Sequence, residues 1–267
     1  MSALRHSIAM RCRLLLPLLA LFLALSPLPL AAREKLTIAA AADLKFAMEE
    51  IVVAFKQAHP ADEVETIYGS SGKFHTQIQQ GAPFDLFFSA DIAYPRLLEK
   101  EGLAAFPTRP YAFGRIVLWS ASRDARRMTL ADLADPAIRK IAIANPKHAP
   151  YGKRAEEALR AAGLWQKLEG RLVMGENIAQ TAQYVQTGNA EVGIIALALA
   201  LNQELAAKGG YALIPETLHQ PLEQGFIVTR RAAGKPLAKQ FADYMASAEA
   251  RRVMVRHGFV LPGEAPK

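Results

Sequence analysis

The stretch YGSSGKFHTQIQQGAPFDLFFSAD, residues 68–91, decides the fold. It begins at the end of a strand-like run, Val64 to Tyr68, and passes through a turn of two glycines, two serines and a lysine. An amphipathic segment around Phe74 to Gln80 then closes on Gly81 and Pro83, and Asp85 to Ser89 reads as a second strand. A strand, a polar turn, a helix and another strand make a βαβ unit, whose strands lie parallel in one sheet. The helix from Asp91 to about Lys100, stopped by Gly102, continues the alternation.

The same pattern extends in both directions. Upstream, Leu36 to Ala40 is a strand and Asp43 opens a helix in which Leu44, Ala47, Met48, Ile51, Val52 and Phe55 keep the 3.6 period. Three βα units are complete by about residue 103. Beyond the proline-punctuated crossing Phe106 to Pro110 a second series follows, with strands at Arg115–Trp119, Ile141–Ala144, Arg171–Met174 and Val192–Ile195. Helices at Leu130–Leu133, Lys153–Ala162, Ala179–Gln186 and Leu197–Ala207 separate them. A last strand, Gly225–Thr229, precedes helices at Pro236–Ala246 and Ala248–His257. This is an α/β fold of mostly parallel sheets flanked by helices.

The first 32 residues stand apart. Arg5, Arg11 and Arg13 form a basic region, Leu14 to Leu25 is almost wholly aliphatic, and Leu30-Ala31-Ala32 offers small residues for cleavage. Pro17, Ser26, Pro27 and Pro29 interrupt or end the run before it reaches the roughly 20 apolar residues of a membrane span. The expectation is a signal peptide over 1–32 and an exported mature chain. The only cysteine, Cys12, lies in that segment, so the mature chain has no disulfide, thiolate zinc site or cysteine nucleophile. Losing three arginines and no acid takes the formal charge from +7 to +4, too diffuse for a nucleic-acid groove and compatible with small anions.

The serine-glycine turn invites two enzymatic readings, and both fail on spacing. A Walker-type phosphate loop needs glycine where Ile67 stands and Ser or Thr where Phe74 stands. A nucleophile elbow needs one residue more between Gly69 and Gly72. A hydrolase using Ser71 therefore has no supporting pattern. What remains is a helix start behind a strand, where free backbone N–H groups favour an anion and Ser70 and Ser71 either cap the helix or add hydroxyl donors. Strand ends at Ala40, Tyr68, Ala144 and Met174 each lead into such a turn, which makes a crevice suited to a small anion.

With those turns in place, AAADLKFAMEEI (40–51), the stretch 68–103, IAIANPKHAPYGKRAEEAL (141–159) and GENIAQTAQYVQTGNAEVGII (175–195) resemble the molybdate-binding periplasmic proteins of ABC importers. GAPFDLFFSAD (81–91) is the most specific piece. The resemblance implies a two-lobed, class II periplasmic-binding-protein fold, with lobe I at 33–113 plus 223–267 and lobe II at 114–222. It implies a molybdate or tungstate ligand, no cofactor besides it, no catalysis, a membrane permease as partner, a periplasmic location and a monomer.

Carried over residue by residue, the resemblance places Ser71, with Ser70 beside it, and the backbone of Tyr151 and Ile178 at the ligand, with Lys73 and Asn177 in support. Two positions depart from the family: Asp43 stands where a serine is expected, and Ala196 where a tyrosine is expected. An ionised Asp43 within about 4 Å of a dianion costs on the order of 4 kcal/mol. Either Asp43 caps its helix through the amides of Lys45 or Phe46, with Lys73 compensating, or it accepts a hydrogen bond from a ligand that still carries a proton, as hydrogen phosphate does, or helps hold a cation. The second option makes the alternative function binding of a protonated oxyanion or metal ion. Tyr151 is placed either to fill the space left at Ala196 or to pack near the hinge. His75 and His148 lack ligand spacing and read as surface or packing residues, so no metal site is expected.

Overall fold

The computed structural model describes residues 33–264, and the expected signal peptide lies outside them. From Glu34 onward the chain forms one compact unit. Its first strand, β1 (Lys35–Ala41), runs into a 3-10 turn, Ala42–Leu44, and helix α1 (Lys45–Ala58). Strand β2 (Glu63–Gly69), α2 (Ser71–Gln79), β3 (Leu86–Ser89) and α3 (Ala93–Lys100) follow. Then β4 (Arg109–Gly114) leads across Arg115 alone into β5 (Ile116–Ser120). The next elements are β6 (Ile141–Ala144), α4 (Pro150–Ala161), the short α5 (Trp165–Leu168), β7 (Leu172–Gly175) and α6 (Ile178–Gln186). After β8 (Val192–Ala196) come α7 (Leu197–Ala200), α8 (Gln203–Lys208) and β9 (Gly210–Leu213). The described chain closes with β10 (Leu222–Val228), α9 (Pro236–Tyr244) and α10 (Ala248–Arg256).

Two five-stranded sheets result, ordered β2-β1-β3-β10-β4 and β7-β6-β8-β5-β9. The chain passes from the first sheet to the second at Arg115 and returns between Leu213 and Leu222. Three neighbouring strands in each sheet are parallel, as βαβ connections require. The sheets are nonetheless mixed, because β10 is antiparallel to β3 and β4, and β5 is antiparallel to β8 and β9. These strands arrive directly from the other sheet with no helical crossover to reverse them, so the expectation of mostly parallel sheets holds only for the βαβ portion.

Side-chain alternation sorts the first sheet's apolar residues onto two faces. Leu36, Ile38, Phe88 and Phe226 pack with Met48, Ile51 and Phe55 of α1 and with Leu237 and Phe241 of α9. Ala39, Phe87 and Ile227 face the other way, against Phe74, Ile78 and Leu98. The second sheet has its own core around Trp119, Ile143 and Ile194. Each large buried side chain contributes about 1.5–3 kcal/mol, so the strand ends that carry the site rest on rigid, packed supports.

Two strands escape the sequence reading. In β4, Pro110 reads as a breaker, but β4 is an edge strand and Pro110 sits where the register with β10 shifts at Gln224/Gly225. β9 has four residues, two of them Gly210 and Ala212, too short and too weakly patterned to announce itself. The expected helix Leu197–Ala207 is broken in two, and the Asn202 side chain caps its second half through the Glu204 amide.

Candidate functional site

Four strand ends deliver the site. At the end of β1, Ala39 to Ala42 are small and buried, and the 3-10 turn carries Asp43 inward until only 1% of its surface is exposed. Its carboxyl does not cap α1: neither the turn nor the helix has a side-chain cap. Instead Oδ2 accepts from Tyr151 Oη at 2.9 Å and from Gln224 Nε2 at 2.8 Å. Gln224 Nε2 also donates to Tyr151 Oη at 3.1 Å, closing a three-membered cluster. The helix-cap expectation fails because partners from β10 and α4 engage the carboxyl instead.

Burial raises the Asp43 carboxyl to about 6, against the opposing hydrogen bonds of Gln224 and Tyr151. The amides of Asp43 and Leu44 lie close enough to favour its charged form, yet Oδ1 makes no hydrogen bond of normal geometry. Burial and the neighbouring Asp43 hold the Tyr151 phenol in its protonated form. No ion pair among the described residues involves Asp43, so its charge has no cationic partner.

The turn after β2 presents both serines without using either as a cap. Ser71 is fully buried and its Oγ accepts from the Ala90 amide at 3.0 Å, leaving its hydroxyl proton to donate. Ser70 Oγ lies 2.9 Å from His148 Nδ1, which belongs to the loop before α4. His148 is therefore part of the cleft contact rather than the isolated packing residue that its sequence context suggests. Gly72 donates its amide to the His148 carbonyl at 2.9 Å, and a Cβ there would fall 2.7 Å from that oxygen, so only glycine permits this approach.

Tyr151 and Ile178 occupy the first turns of α4 and α6, where backbone N–H groups lack helical acceptors. Pro150 pre-sets the start of α4, and Asn177 caps α6 by accepting from the Gln180 amide at 3.0 Å. Asn177 thus supports the helix start that bears Ile178. Lys73 departs from expectation: it points outward and pairs with Glu176 across the cleft, and both are half exposed. It supplies no charge to Asp43, because α2 directs it along the rim.

Asp43, Ser70, Ser71, Tyr151 and Ile178 all line one cavity of about 10 Å³, between elements of both sheets. That volume admits about one water molecule, so a larger ligand enters only when the two walls separate. A larger groove of about 510 Å³ runs alongside, lined by Lys45, Tyr68, Gln183 and Glu204. That groove also borders the first turns of α1 and α6, but it lacks the buried Ser70 and Ser71 hydroxyls and the Asp43 carboxyl, so the smaller cavity is the candidate site. Among the described residues no group of acidic, histidine or cysteine side chains is arranged to hold a metal ion. Ala196 is buried at the start of α7 and does not line the cavity, whereas Tyr151 does.

Residues 36–260 match the family described as bacterial extracellular solute-binding protein. The molybdate-binding protein ModA of Azotobacter vinelandii is 36% identical over 225 residues, covering 84% of this chain and 89% of that one. ModA of Rhodobacter capsulatus is 35% identical over 235 residues, covering 87% and 90%. Among solved structures, the periplasmic molybdate-binding protein of Azotobacter vinelandii superposes with a TM-score of 0.78 at 32% identity, over 85% of this chain and 99% of that one. The two-lobed periplasmic-binding architecture is common to both.

Proposed function

From the premise that this chain belongs to the bacterial extracellular solute-binding protein family, we propose that it captures molybdate or tungstate and delivers it to the membrane permease of an ABC importer. The observation that carries this reading is the convergence of Ser71, Tyr151 and Ile178, from two sheets, on one small cavity. A tetrahedral oxyanion needs donors from several directions, and hydroxyls with helix N-termini supply them without a formal positive charge.

The binding cycle follows from the cleft contacts. Lobe I (33–113 plus 223–267) and lobe II (114–222) separate to admit the ligand and close around it. Closure reforms Gly72 N–H to His148 O, Ser70 to His148 and Lys73 to Glu176. Arg154 and Asp91, 3.7 Å apart, add a further contact between α4 and the turn before α3. The closed form is the one that the permease reads. No bond of the ligand is broken, consistent with a family of binding proteins and not enzymes. The protein acts as a periplasmic monomer, released by cleavage of residues 1–32, and engages no nucleic acid.

Thermal denaturation of residues 33–267 with molybdate, tungstate, sulfate and phosphate tests the reading. Molybdate and tungstate raise the melting temperature in proportion to RT ln(1 + [L]/Kd). A midpoint unmoved by both at millimolar concentration overturns it.

A further inference from the structure

One atom in the cavity wall has no role in the cycle above. Asp43 Oδ1 is buried and makes no hydrogen bond of normal geometry, although the amides of Asp43 and Leu44 lie near the carboxyl and Oδ2 accepts two hydrogen bonds. Every element packed around it presents a neutral group. Tyr151 comes from α4, Gln224 from β10, Tyr111 from β4, and the hydroxyls of Ser70 and Ser71 from the turn after β2. The nearby charges are engaged elsewhere: Lys73 with Glu176, Asp91 with Arg154, and Lys45 against the Phe46 ring. The imidazole at the cavity edge, His148 against Ser70, is held below its ordinary value by burial and by Lys73.

A bare carboxylate oxygen in the wall of an anion cavity opposes a dianion. A carboxylic acid in the same place favours it, because one O–H then donates as a serine hydroxyl does. The hydrogen bonds already present decide which oxygen takes the proton. Tyr151 and Gln224 occupy the accepting positions of Oδ2, so the proton belongs on Oδ1, which makes no hydrogen bond of normal geometry.

We propose that Asp43 holds the oxyanion as a neutral carboxylic acid, donating from Oδ1, so that each bound dianion is accompanied by one proton taken from solvent. This rests on the oxyanion reading of the cavity. The proton balance is simple: one H⁺ from buffer joins the Asp43 carboxylate, and the ligand keeps both its charges. Burial brings the free carboxyl to about 6. Apparent affinity is therefore flat below that pH and falls about tenfold per unit above it, while the ligand itself stays fully ionised.

Calorimetric titration with molybdate, at pH 7.5 in buffers of different ionisation enthalpy, reads the proton count directly. Close to one proton per ligand is expected at pH 7.5 and close to none at pH 5. Asp43→Asn keeps two acceptor positions for Tyr151 and Gln224 and offers an N–H to the cavity. It is expected to take up no proton, to bind with pH-independent affinity, and to bind roughly thirtyfold tighter than the natural protein at pH 7.5. Asp43→Ser, a smaller permanent donor, is expected to lose the proton uptake as well, which covers the case of a misfolded Asn variant. Molybdate binding with no net proton uptake and a flat pH profile overturns the inference and leaves the oxyanion function standing. Proton uptake that persists in both variants overturns it too. Absence of binding by molybdate and tungstate even at pH 5.5 removes the function along with it.

Discussion

Gly114, at the end of β4, gives the sharpest test of how the site is assembled. A Cβ at this position falls 2.2 Å from Tyr151 Oη, 2.6 Å from Gln224 Nε2 and 3.0 Å from Tyr151 Cζ. Gly114→Ala must therefore push both donors away from Asp43. Forcing one methyl into a packed interior costs about 1–3 kcal/mol. Weakening two hydrogen bonds to a buried carboxyl adds about 1–3 kcal/mol, for a total of about 2–6 kcal/mol. Tyr151→Phe alone removes one of those bonds and costs about 1.5–3 kcal/mol. The two changes share an atom, so they are not additive: with the hydroxyl gone, the new methyl loses its closest clash. Urea denaturation of the four proteins of this cycle is expected to show Gly114→Ala costing at least about 1 kcal/mol less when Tyr151→Phe is already present. Costs that add within about 0.5 kcal/mol, or a neutral Gly114→Ala, refute the packing argument.

The carboxyl of Asp43 also governs stability without ligand. Its folded pKa of about 6 lies above the ordinary 3.8, so the folded state binds the proton more tightly, and stability declines as pH rises from about 4 through 6. Asp43→Asn is accordingly expected to stabilise the free protein at pH 8 by up to about 3 kcal/mol and to lose that advantage at pH 4, measured by denaturation at the two pH values. Asp85, buried in the first sheet, accepts from the Thr37 amide at 2.9 Å and from Lys235 Nζ at 2.8 Å. Asp85→Ala strands the lysine and the amide and is expected to cost about 3–5 kcal/mol by urea unfolding. The Arg171 guanidinium donates to the carbonyls of Leu133, Asp135 and Ile138, tying that loop to β7, and Arg171→Ala is expected to cost about 2–3 kcal/mol. By contrast, Glu176→Gln weakens only rim contacts, the half-exposed cleft pair with Lys73 and the 3.9 Å approach to His148 Nε2. Its effect on stability is expected to stay under about 1 kcal/mol and to vanish in high salt.

What the sequence discloses is governed by locality. The βαβ run through GAPFDLFFSAD is legible because strand alternation, Gly81, Pro83 and Gly102 all act within a few residues of each other. The 3.6 period of α1 is likewise local, and it places Met48, Ile51 and Phe55 in the core. The turn at Ser70 and Ser71 is recognisable as a helix start for the same reason. The clustering around Asp43 is not. Gln224 is 181 residues away and Tyr151 is 108, so nothing near Asp43 announces either partner. His148 reads as an ordinary histidine because Ser70, its partner, lies 78 residues upstream. Pro110 hides β4 because an edge strand tolerates what a central strand does not. In each case the missing information is which strand ends the topology brings to one cavity.

Location of the ligand tests the account most directly. Crystals of residues 33–267 grown with molybdate, measured at the molybdenum absorption edge, give an anomalous peak wherever the metal sits. One peak per chain is expected in the cavity between the turn after β2 and the starts of α4 and α6, with ligand oxygens within hydrogen-bond distance of Ser71 Oγ, the Ile178 amide and Asp43 Oδ1. A peak in the open groove beside Lys45 and Gln183, or none in the cavity at saturating molybdate, contradicts it.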